Sequence, residues 1–440
     1  MKRRDLCLGL LGAAAALAMP GEAHAQAPKL KPLKPAAPRA GDGDARPLAV
    51  VGATVYTGTG EVIQNGTVLL ARGKIEKVGA GLAVPGGAES IDGAGLVVTP
   101  GLVDALTSLG LIEVDLEPHL HDDRQAGGEI IRAGFRAADG YNPSSAAIAV
   151  ARSQGLTSAG VIPHGGLISG QSAWADLDGA TAEEAIAASP LAIHVSLDAA
   201  AGGDRGGHAT AILRAREAFD DARAFKKNRA GWERNQSRRF AASRLDLEAL
   251  AIALDGKLPI VFHVDRAADI LTALSLAKEF KLRPVIAGGA EAWKVAAALS
   301  AAKVPVLVDP FVQPYSFDAL GAREDNAALL HAAGVPVGIS TQDTFNARKL
   351  RQLAGNAVRS GLPHAAAIAA ITRVPAEAMG MGARYGTLTA GKVGNLAVWS
   401  GDPLEIGTRL VGLVIRGRKV TGRSRQAALL DKYRTLPKRP

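Results

Sequence analysis

Histidine and aspartate side chains occur at several points where they could bind a divalent metal or move a proton. His263 ends the apolar segment I-V-F-H, and Asp343 follows the segment S-T-Q. His119 and His121 are spaced by two residues in a glycine-containing loop that continues with two aspartates. Imidazole and carboxylate groups are common zinc ligands and common general acids and bases. These residues indicate metal-dependent or acid–base chemistry, with a solvated loop as the plainer interpretation of His119 and His121.

The elements that would position these side chains are short apolar strands that alternate with alanine-rich helical segments. We predict strands at residues 97–105, 156–162, 169–177, 191–197, 258–263, 284–287, 304–308 and 335–339. We predict helices at residues 209–225, 245–254, 267–280, 290–302 and 347–360, where apolar residues recur at intervals of three and four. This alternation predicts an α/β fold with a parallel sheet, and eight strands predict a (β/α)8 TIM barrel. A doubly wound open sheet is the alternative, and residues 169–177 could form a hairpin instead of a barrel strand.

Strand-rich segments lie on both sides of the predicted barrel. Residues 48–91 contain short strands with turn signals at Asn65-Gly66 and Arg72-Gly73, and residues 386–419 contain further strands with glycine turns. We therefore predict a small composite β-sandwich domain built from residues 48–96 and 385–422, and a barrel at residues 97–384. The doubly wound alternative does not explain why β segments bracket the α/β region.

The first residues have the pattern of an export signal. Lys2, Arg3 and Arg4 precede an apolar run at residues 8–19 and an A-H-A cleavage site at residues 23–25. The apolar run is too short to span a bilayer. We predict a signal peptide at residues 1–25, a Pro/Ala/Lys-rich linker at residues 26–47, and a periplasmic or secreted location. The Arg3-Arg4 pair leaves twin-arginine export open beside the general secretory route.

The composition of the 440-residue chain limits the classes of function. Hydrophobic residues make up 48% of the sequence, which is enough for the core of one large or two ordinary domains. Cys7 is the only cysteine and lies in the predicted signal peptide, which excludes disulfides and thiolate chemistry from the mature chain. The net charge of +9 lies partly in a basic C-terminal tail, residues 423–440, without the interleaved aromatics of nucleic-acid sites. We expect a small-molecule ligand in the barrel mouth, no nucleic-acid partner, and no transmembrane segment in the mature chain.

Three segments resemble the metal-dependent amidohydrolases, in the imidazolonepropionase-like or prolidase-like branch. They are A-T-V-Y-T-G-T-G-E-V-I-Q-N-G-T-V-L-L-A-R-G-K-I-E-K-V-G (53–79), V-T-P-G-L-V-D (98–104) and I-T-R-V-P-A-E-A-M-G-M-G-A-R-Y-G-T-L-T-A-G-K-V-G-N-L-A-V-W-S-G-D-P-L (371–404). The resemblance covers nearly the whole mature chain. It implies a hydrolase of non-peptide C–N bonds, or of cyclic amide or dipeptide bonds, that uses zinc or another divalent metal to activate water. It also makes a homo-oligomer plausible.

The resemblance implies metal ligands at the ends of several strands, and this sequence departs from that pattern. The two histidines of the first strand fall at Leu106 and Ser108, and the histidine of the sixth strand falls at about Gly288. The histidine of the fifth strand matches His263. The aspartate of the eighth strand, which also handles the proton, matches Asp343. One histidine and one aspartate do not fill a zinc site, which normally has three protein ligands.

The individual residues have second interpretations. Asp343 matches only if Thr341-Gln342 carries a one-residue insertion, and Asp343 could simply cap the helix that follows. His263 could be hydrogen-bonded to a neighbour and never bind metal. His164 stands near the end of the second strand and could face the pocket. Ser108 as a nucleophile would need an adjacent base, which the sequence does not identify.

Two hypotheses follow, one for an active enzyme and one for a protein without catalytic activity. The first is an active amidohydrolase that uses His263 and Asp343 with further ligands, for which His119 and His121 are candidates. The second is a pseudoenzyme, in which the barrel is kept, the metal is lost and the pocket binds a small ligand or a protein partner. The nearly full-length resemblance favours the first hypothesis, and the replaced ligands favour the second.

Overall fold

The structure is a computed structural model and describes residues 46–124, 129–203, 206–311, 316–420 and 424–434. The predicted signal peptide at residues 1–25 and nearly all of the predicted linker lie outside the described residues. Within the described ranges, no helix combines the length and the apolar character needed to cross a membrane.

The regular elements alternate as strands and helices through most of the chain. The strands are β1 (Leu48–Tyr56), β2 (Val62–Ala71), β3 (Lys74–Ala80), β4 (Glu89–Asp92), β5 (Val97–Pro100), β6 (Leu102–Thr107), β7 (Leu156–Val161), β8 (Ile168–Gln171), β9 (Ala173–Asp176), β10 (Ile186–Ala188), β11 (Ile193–Ser196), β12 (Pro259–Val264), β13 (Arg283–Gly288), β14 (Val306–Val308), β15 (Val337–Ile339), β16 (Leu396–Trp399), β17 (Leu410–Ile415) and β18 (Arg418–Lys419). The α-helices are α1 (Ala146–Arg152), α2 (Ala182–Ala185), α3 (His208–Lys227), α4 (Arg229–Glu233), α5 (Arg244–Leu254), α6 (Ala267–Phe280), α7 (Ala296–Ala302), α8 (Asn326–Ala332), α9 (Leu350–Arg359), α10 (His364–Ala370), α11 (Arg373–Ala378) and α12 (Arg425–Tyr433).

One sheet joins strands from both ends of the described chain. Its strands run in the order β18-β17-β16-β5-β1-β2-β3, and β4 also pairs with β1. The turn between β2 and β3 has positive φ at both Arg72 and Gly73, 51° and 73°, as a two-residue hairpin of the right twist requires. Strand β5 pairs in parallel with β1 and antiparallel with β16. The two strand-rich ends are thus hydrogen-bonded to each other, while their separation as a β-sandwich domain stays a prediction.

The central strands form two further sheets. Strands β6 and β7 are parallel, and β11 to β15 form a parallel series in chain order. Strand β6 is buried at all of its residues, as expected for a strand that is covered on both faces. Strand pairing among the described residues leaves the central strands in two sheets, so a closed (β/α)8 barrel stays a prediction.

The predicted strand at residues 169–177 has a different structure from either interpretation of the sequence. It divides into β8, which pairs antiparallel with β11, and β9, which pairs antiparallel with β7 and β10. The register of β8 with β11 is irregular near Gly170, where φ is 130° and an added Cβ would lie 2.5 Å from the carbonyl oxygen of Phe135. The segment is neither one parallel barrel strand nor a hairpin, because its halves belong to different sheets.

The helices follow the predicted apolar periodicity closely. The predicted helix at 267–280 is α6, and α5 begins at the capping box of Ser243 and Asp246. The predicted segments at 290–302 and 347–360 begin as short 3₁₀ turns, Ala292–Val295 and Ala347–Lys349, before α7 and α9. The basic tail predicted at 423–440 contains α12, which has no buried residue.

Candidate active site

Two histidines on the neighbouring strands β11 and β12 contact each other. The parallel register places Ser196 beside His263, and Nδ1 of His194 lies 3.0 Å from Nε2 of His263. His194 is fully buried, and its Nε2 atom has no hydrogen-bond partner among the described residues. Because an unpaired buried acceptor is tolerated better than an unpaired buried donor, we assign the proton to Nδ1 of His194. His263 then accepts this hydrogen bond with the lone pair of Nε2.

Both rings of this pair are neutral at physiological pH. Burial, followed by the charge of His164, lowers the pKa of His263 to about 4, against an opposing effect of Asp198. Burial also lowers the pKa of His194 well below its usual value, with additional effects of His263 and His164. The charge of His164 thus acts on both rings in the same direction as burial.

The positions at the carboxyl end of β6 hold side chains that pack rather than ligate. Leu106 is fully buried in an apolar cluster that includes Val103, Ile162 and Trp174. Ser108 is also buried, and its hydroxyl donates to the carbonyl oxygen of Ile162 at 3.2 Å. An imidazole at position 106 would have to be placed among apolar side chains without a polar partner.

Gly288 ends β13 in a backbone conformation that favours glycine. Its φ is 87°, in the left-handed region that side chains with a Cβ rarely adopt. An added Cβ would lie 2.7 Å from Oδ1 of Asp265. The space that a ligand side chain would need at this strand end is therefore already taken by the Asp265 carboxylate.

Asp343 is bound within its own loop. Its Oδ1 atom accepts from the backbone N–H of Asn346 at 2.8 Å, and Oδ2 accepts from Nδ2 of the same residue at 2.9 Å. Gln342, the residue before it, has a positive φ of 50°, so the backbone is irregular at the point where the sequence suggests an insertion. Asp343 thus bonds to Asn346, the residue before the 3₁₀ turn Ala347–Lys349, and the capping interpretation stays a prediction.

Asp104 links β6 to the loop after β15. It is fully buried and accepts hydrogen bonds from the Ser340 hydroxyl, from the Thr341 hydroxyl and from the Thr341 backbone N–H. Ser340 in turn contacts the backbone of Leu106, accepting from its N–H at 3.0 Å. The carboxylate thus holds the ends of β6 and β15 together where no strand pairing is described.

His119 and His121 lie in the long loop after the first strand. His119 is exposed within a short 3₁₀ turn, Pro118–Leu120. The Nε2 atom of His121 lies 2.9 Å from the carbonyl oxygen of Asp115, to which it donates. Its Nδ1 atom lies 3.8 Å from the carboxylate of Asp123. The ring of His121 is therefore turned toward its own loop and toward Asp123, and the two histidines do not converge on a common point.

Ser108, Asp123 and His164 form a cluster that the sequence did not reveal. Nδ1 of His164 lies 2.9 Å from Oγ of Ser108 and 3.1 Å from Oδ2 of Asp123. The backbone N–H of His164 also donates to the carbonyl oxygen of Asp123 at 2.7 Å. Arg124 adds two hydrogen bonds to the same carboxylate. The sequence shows the segment I-P-H-G-G around His164 and the two aspartates that include Asp123 as separate features. The contact between His164 and Asp123 depends on the pairing of β6 with β7.

The side chains at the strand ends do not fit the metal centre that the resemblance implies. A zinc site needs about three converging protein donors. In the described part of the chain, no group of three or more histidine, cysteine, aspartate or glutamate side chains could hold a metal ion. The lone pair of His263 is occupied by His194, the carboxylate of Asp343 is occupied by Asn346, and Leu106 offers no donor. The ligand assignments made from the sequence stay predictions.

Comparisons with known proteins agree with the resemblance. A model described as the amidohydrolase family matches residues 307–426. The amidohydrolase tasK of Hapsidospora irregularis is 27% identical over 88% of this chain, which spans 45% of the length of that protein. An imidazolonepropionase of Aromatoleum aromaticum is 39% identical over 22% of this chain and 26% of its own length.

A solved structure extends the similarity across the chain. The crystal structure of an amidohydrolase from Thermotoga maritima MSB8 is 27% identical and covers 86% of this chain and 100% of its own, with a TM-score of 0.78. The matched family domain, the sequence relatives and this shared fold fit the metal-dependent amidohydrolase superfamily.

Proposed function

We propose that the protein is an exported hydrolase of C–N bonds, whose active site lies at the carboxyl ends of the central strands. The observation that carries the proposal is the fold shared with the Thermotoga maritima amidohydrolase, which spans 86% of this chain. The relative from Hapsidospora irregularis is also an amidohydrolase by name, and such enzymes split C–N bonds. The substrate we expect is a small amide, cyclic amide or dipeptide.

The polar side chains of the strand ends support this location. His164 follows β7, His194 and His263 lie in β11 and β12, and Ser108 and Asp123 lie beside His164. In α/β barrels, catalytic side chains come from the ends of several strands in this way. A cluster of imidazoles and carboxylates can move protons during hydrolysis.

A pseudoenzyme that binds a small ligand is the second candidate. It is supported by Leu106, which is fully buried among apolar side chains, and by Gly288, where Asp265 occupies the space of a ligand side chain. Both features suit a strand end that has been packed for stability. Under this candidate, the pocket binds an amide-like ligand without splitting it.

One experiment separates the two candidates. The chain from Gln26 onward is purified without chelators, and its zinc, manganese and iron content is measured. It is then incubated in ¹⁸O-labelled water with N-acyl amino acids, dipeptides and cyclic amides, and products are analysed by mass spectrometry. Incorporation of one labelled oxygen into a carboxylate product supports the hydrolase. Thermal stabilisation by one of these compounds without any labelled product supports the pseudoenzyme.

Export is tested in the host cell. We expect the full chain to lose residues 1–25 and to appear in the periplasmic fraction or the medium. Substituting Arg3→Lys and Arg4→Lys together should block export by the twin-arginine route but leave the general secretory route working. Retention of the uncleaved chain in the cytoplasm of the unsubstituted protein would contradict the export proposal.

A further inference from the structure

Within the Ser108–Asp123–His164 cluster, the carboxylate of Asp123 is buried and held by hydrogen bonds. The residue is fully buried, and its carboxylate accepts from Nε and Nη2 of Arg124 at 3.0 and 3.1 Å. Nδ1 of His164 lies 3.1 Å from the same carboxylate. Paired with the guanidinium of Arg124, the carboxylate is held in its ionised form and can only accept hydrogen bonds.

An ionised carboxylate beside Nδ1 decides the tautomer of His164. At 3.1 Å from Oδ2 of Asp123, Nδ1 must carry a proton, because two lone pairs would repel each other. The neutral ring then has its lone pair on Nε2. That atom has no hydrogen-bond partner among the described residues, and the His164 side chain is 36% exposed. Its lone pair is available to a molecule from solution.

The position of Ser108 excludes the usual arrangement of a serine nucleophile. In a Ser-His-Asp triad, the serine and the carboxylate bind opposite nitrogens of the imidazole. Here Ser108 and Asp123 both bind Nδ1, at 2.9 and 3.1 Å. Since Nδ1 carries the proton, the Ser108 hydroxyl oxygen accepts from it, and the hydroxyl proton goes to the carbonyl oxygen of Ile162. Ser108 therefore helps to orient the ring and is not deprotonated by it.

We propose that His164 is a metal-independent general base, oriented by Asp123 and Ser108, that activates water for hydrolysis of an amide-type C–N bond. This inference rests on the proposed hydrolase function. Nε2 takes a proton from water as its oxygen bonds to the carbonyl carbon and the carbonyl electron pair moves to oxygen. When the tetrahedral intermediate collapses, the C–N bond breaks and Nε2–H returns the proton to the leaving nitrogen. The products are a carboxylic acid and an amine, and no other reactant is needed.

The surroundings of His164 suit a ligand from solution. Gly165 follows it with a φ of 90°, is exposed, and would meet nothing closer than 4.0 Å if it carried a Cβ. The neighbouring rings of His194 and His263 are neutral and do not compete for a proton at neutral pH. The loop after the second strand thus leaves an open approach to an oriented base.

Three substitutions in the whole chain test the assignment, using a substrate from the ¹⁸O screen. His164→Gln should lower kcat by about 100-fold or more, because general base catalysis contributes roughly that factor. Asp123→Asn should lower kcat, because the carboxylate 3.1 Å from Nδ1 no longer orients the His164 ring. Ser108→Ala should lower kcat less than His164→Gln does, because Asp123 still holds Nδ1. His331→Gln, at an exposed position, is the control for a histidine change.

The outcomes distinguish this inference from its alternatives. Activity of His164→Gln within about twofold of the unsubstituted protein overturns it. Complete loss in Ser108→Ala, with an acyl adduct on Ser108 in the unsubstituted protein, identifies a nucleophile and also overturns it. Inhibition by EDTA that zinc reverses overturns the metal-independent step while leaving the hydrolase proposal intact.

A measurement on the resting protein keeps the inference testable if no substrate is turned over. Nitrogen-15 NMR of the His164 ring reports which nitrogen carries the proton. We expect Nδ1–H in the unsubstituted protein and a changed tautomer population in Asp123→Asn. Nε2–H in the unsubstituted protein overturns the inference, whereas Nδ1–H with no turnover contradicts only the proposed hydrolase function.

Discussion

Replacing Asp104 with asparagine tests how the first and last central strands are joined. Burial is the largest effect on this carboxyl and, against the hydrogen bonds from Ser340, Thr341 and Leu106, raises its pKa to about 6. A protonated carboxyl fits the same contacts. It can donate to Oγ of Ser340, whose hydroxyl then donates to the carbonyl oxygen of Leu106 at 3.1 Å. Asparagine copies this neutral state without a titrating proton.

The raised pKa makes part of the folding free energy depend on pH. Between the usual value of 3.8 and about 6, the folded protein holds a proton on Asp104 that the unfolded chain has already released. Acidification across this range therefore stabilises the unsubstituted protein, and a return to neutral pH removes that stabilisation. A difference of about two pKa units corresponds to roughly 3 kcal/mol. Asp104→Asn lacks this component at every pH.

We expect the free energy of unfolding of the unsubstituted protein, minus that of Asp104→Asn, to rise by roughly 2–3 kcal/mol from pH 7 to pH 4. Urea unfolding followed by the fluorescence of buried Trp174 and Trp399 measures both proteins. The subtraction removes groups that act in the opposite direction, such as His263, whose pKa is lowered.

The control is Asp139→Asn, because the Asp139 side chain is 66% exposed. This variant should follow the unsubstituted protein within about 0.5 kcal/mol over the same range of pH. A difference for Asp104→Asn that stays constant from pH 7 to pH 4, or that changes with the opposite sign, would refute the reasoning.

Two further predictions concern stability at neutral pH, measured by the same urea unfolding. Gly288→Ala should lower the free energy of unfolding by roughly 2–4 kcal/mol, because it adds a contact with Asp265 to an unfavourable φ. Gly81 has a φ of 66° and open space around it, so Gly81→Ala should lower the free energy of unfolding by only about 1 kcal/mol. Equal losses of unfolding free energy at the two glycines would show that the contact between the added Cβ and Asp265 is relieved. Arg351→Ala should lower the free energy of unfolding by roughly 3 kcal/mol, because the buried guanidinium donates to three backbone carbonyls at 2.8–3.0 Å. Arg348 is exposed, and Arg348→Ala should change the free energy of unfolding little. A loss below about 1 kcal/mol for Arg351→Ala would contradict this role.

The helices and most central strands could be predicted because their signal is local. The predicted helix at 267–280 is found as Ala267–Phe280, and the predicted fifth strand at 258–263 is found as Pro259–Val264. Their apolar periodicity is complete within one element. The prediction for residues 169–177 was wrong because these residues alternate like one strand. Their pairing depends instead on the distant strands β7 and β11.

The site was less predictable because its contacts join loops that follow different strands. His263 could be placed at a strand end from sequence, but its partner His194 depends on the parallel register of β11 and β12. Asp123 stood in an acidic loop with no sign that it would be fully buried. Its contact with His164 depends on two loops that come together only because β6 and β7 pair. Strand patterns therefore located the end of the sheet that matters, and not the side chains that meet there.

The segment V-T-P-G-L-V-D-A-L-T-S carries the resemblance to metal-dependent enzymes, yet its side chains have structural contacts. Asp104 ties β6 to the loop after β15, and Leu106 fills the apolar cluster behind the strand end. At the sixth strand, the backbone of Gly288 is left-handed and Asp265 occupies the adjacent space. Histidines at positions 106 and 288 would therefore disturb packing and backbone before any metal could bind. Chemistry at this strand end falls instead to Asp123 and His164, which stand in the loops beyond the strands and leave this packing unchanged.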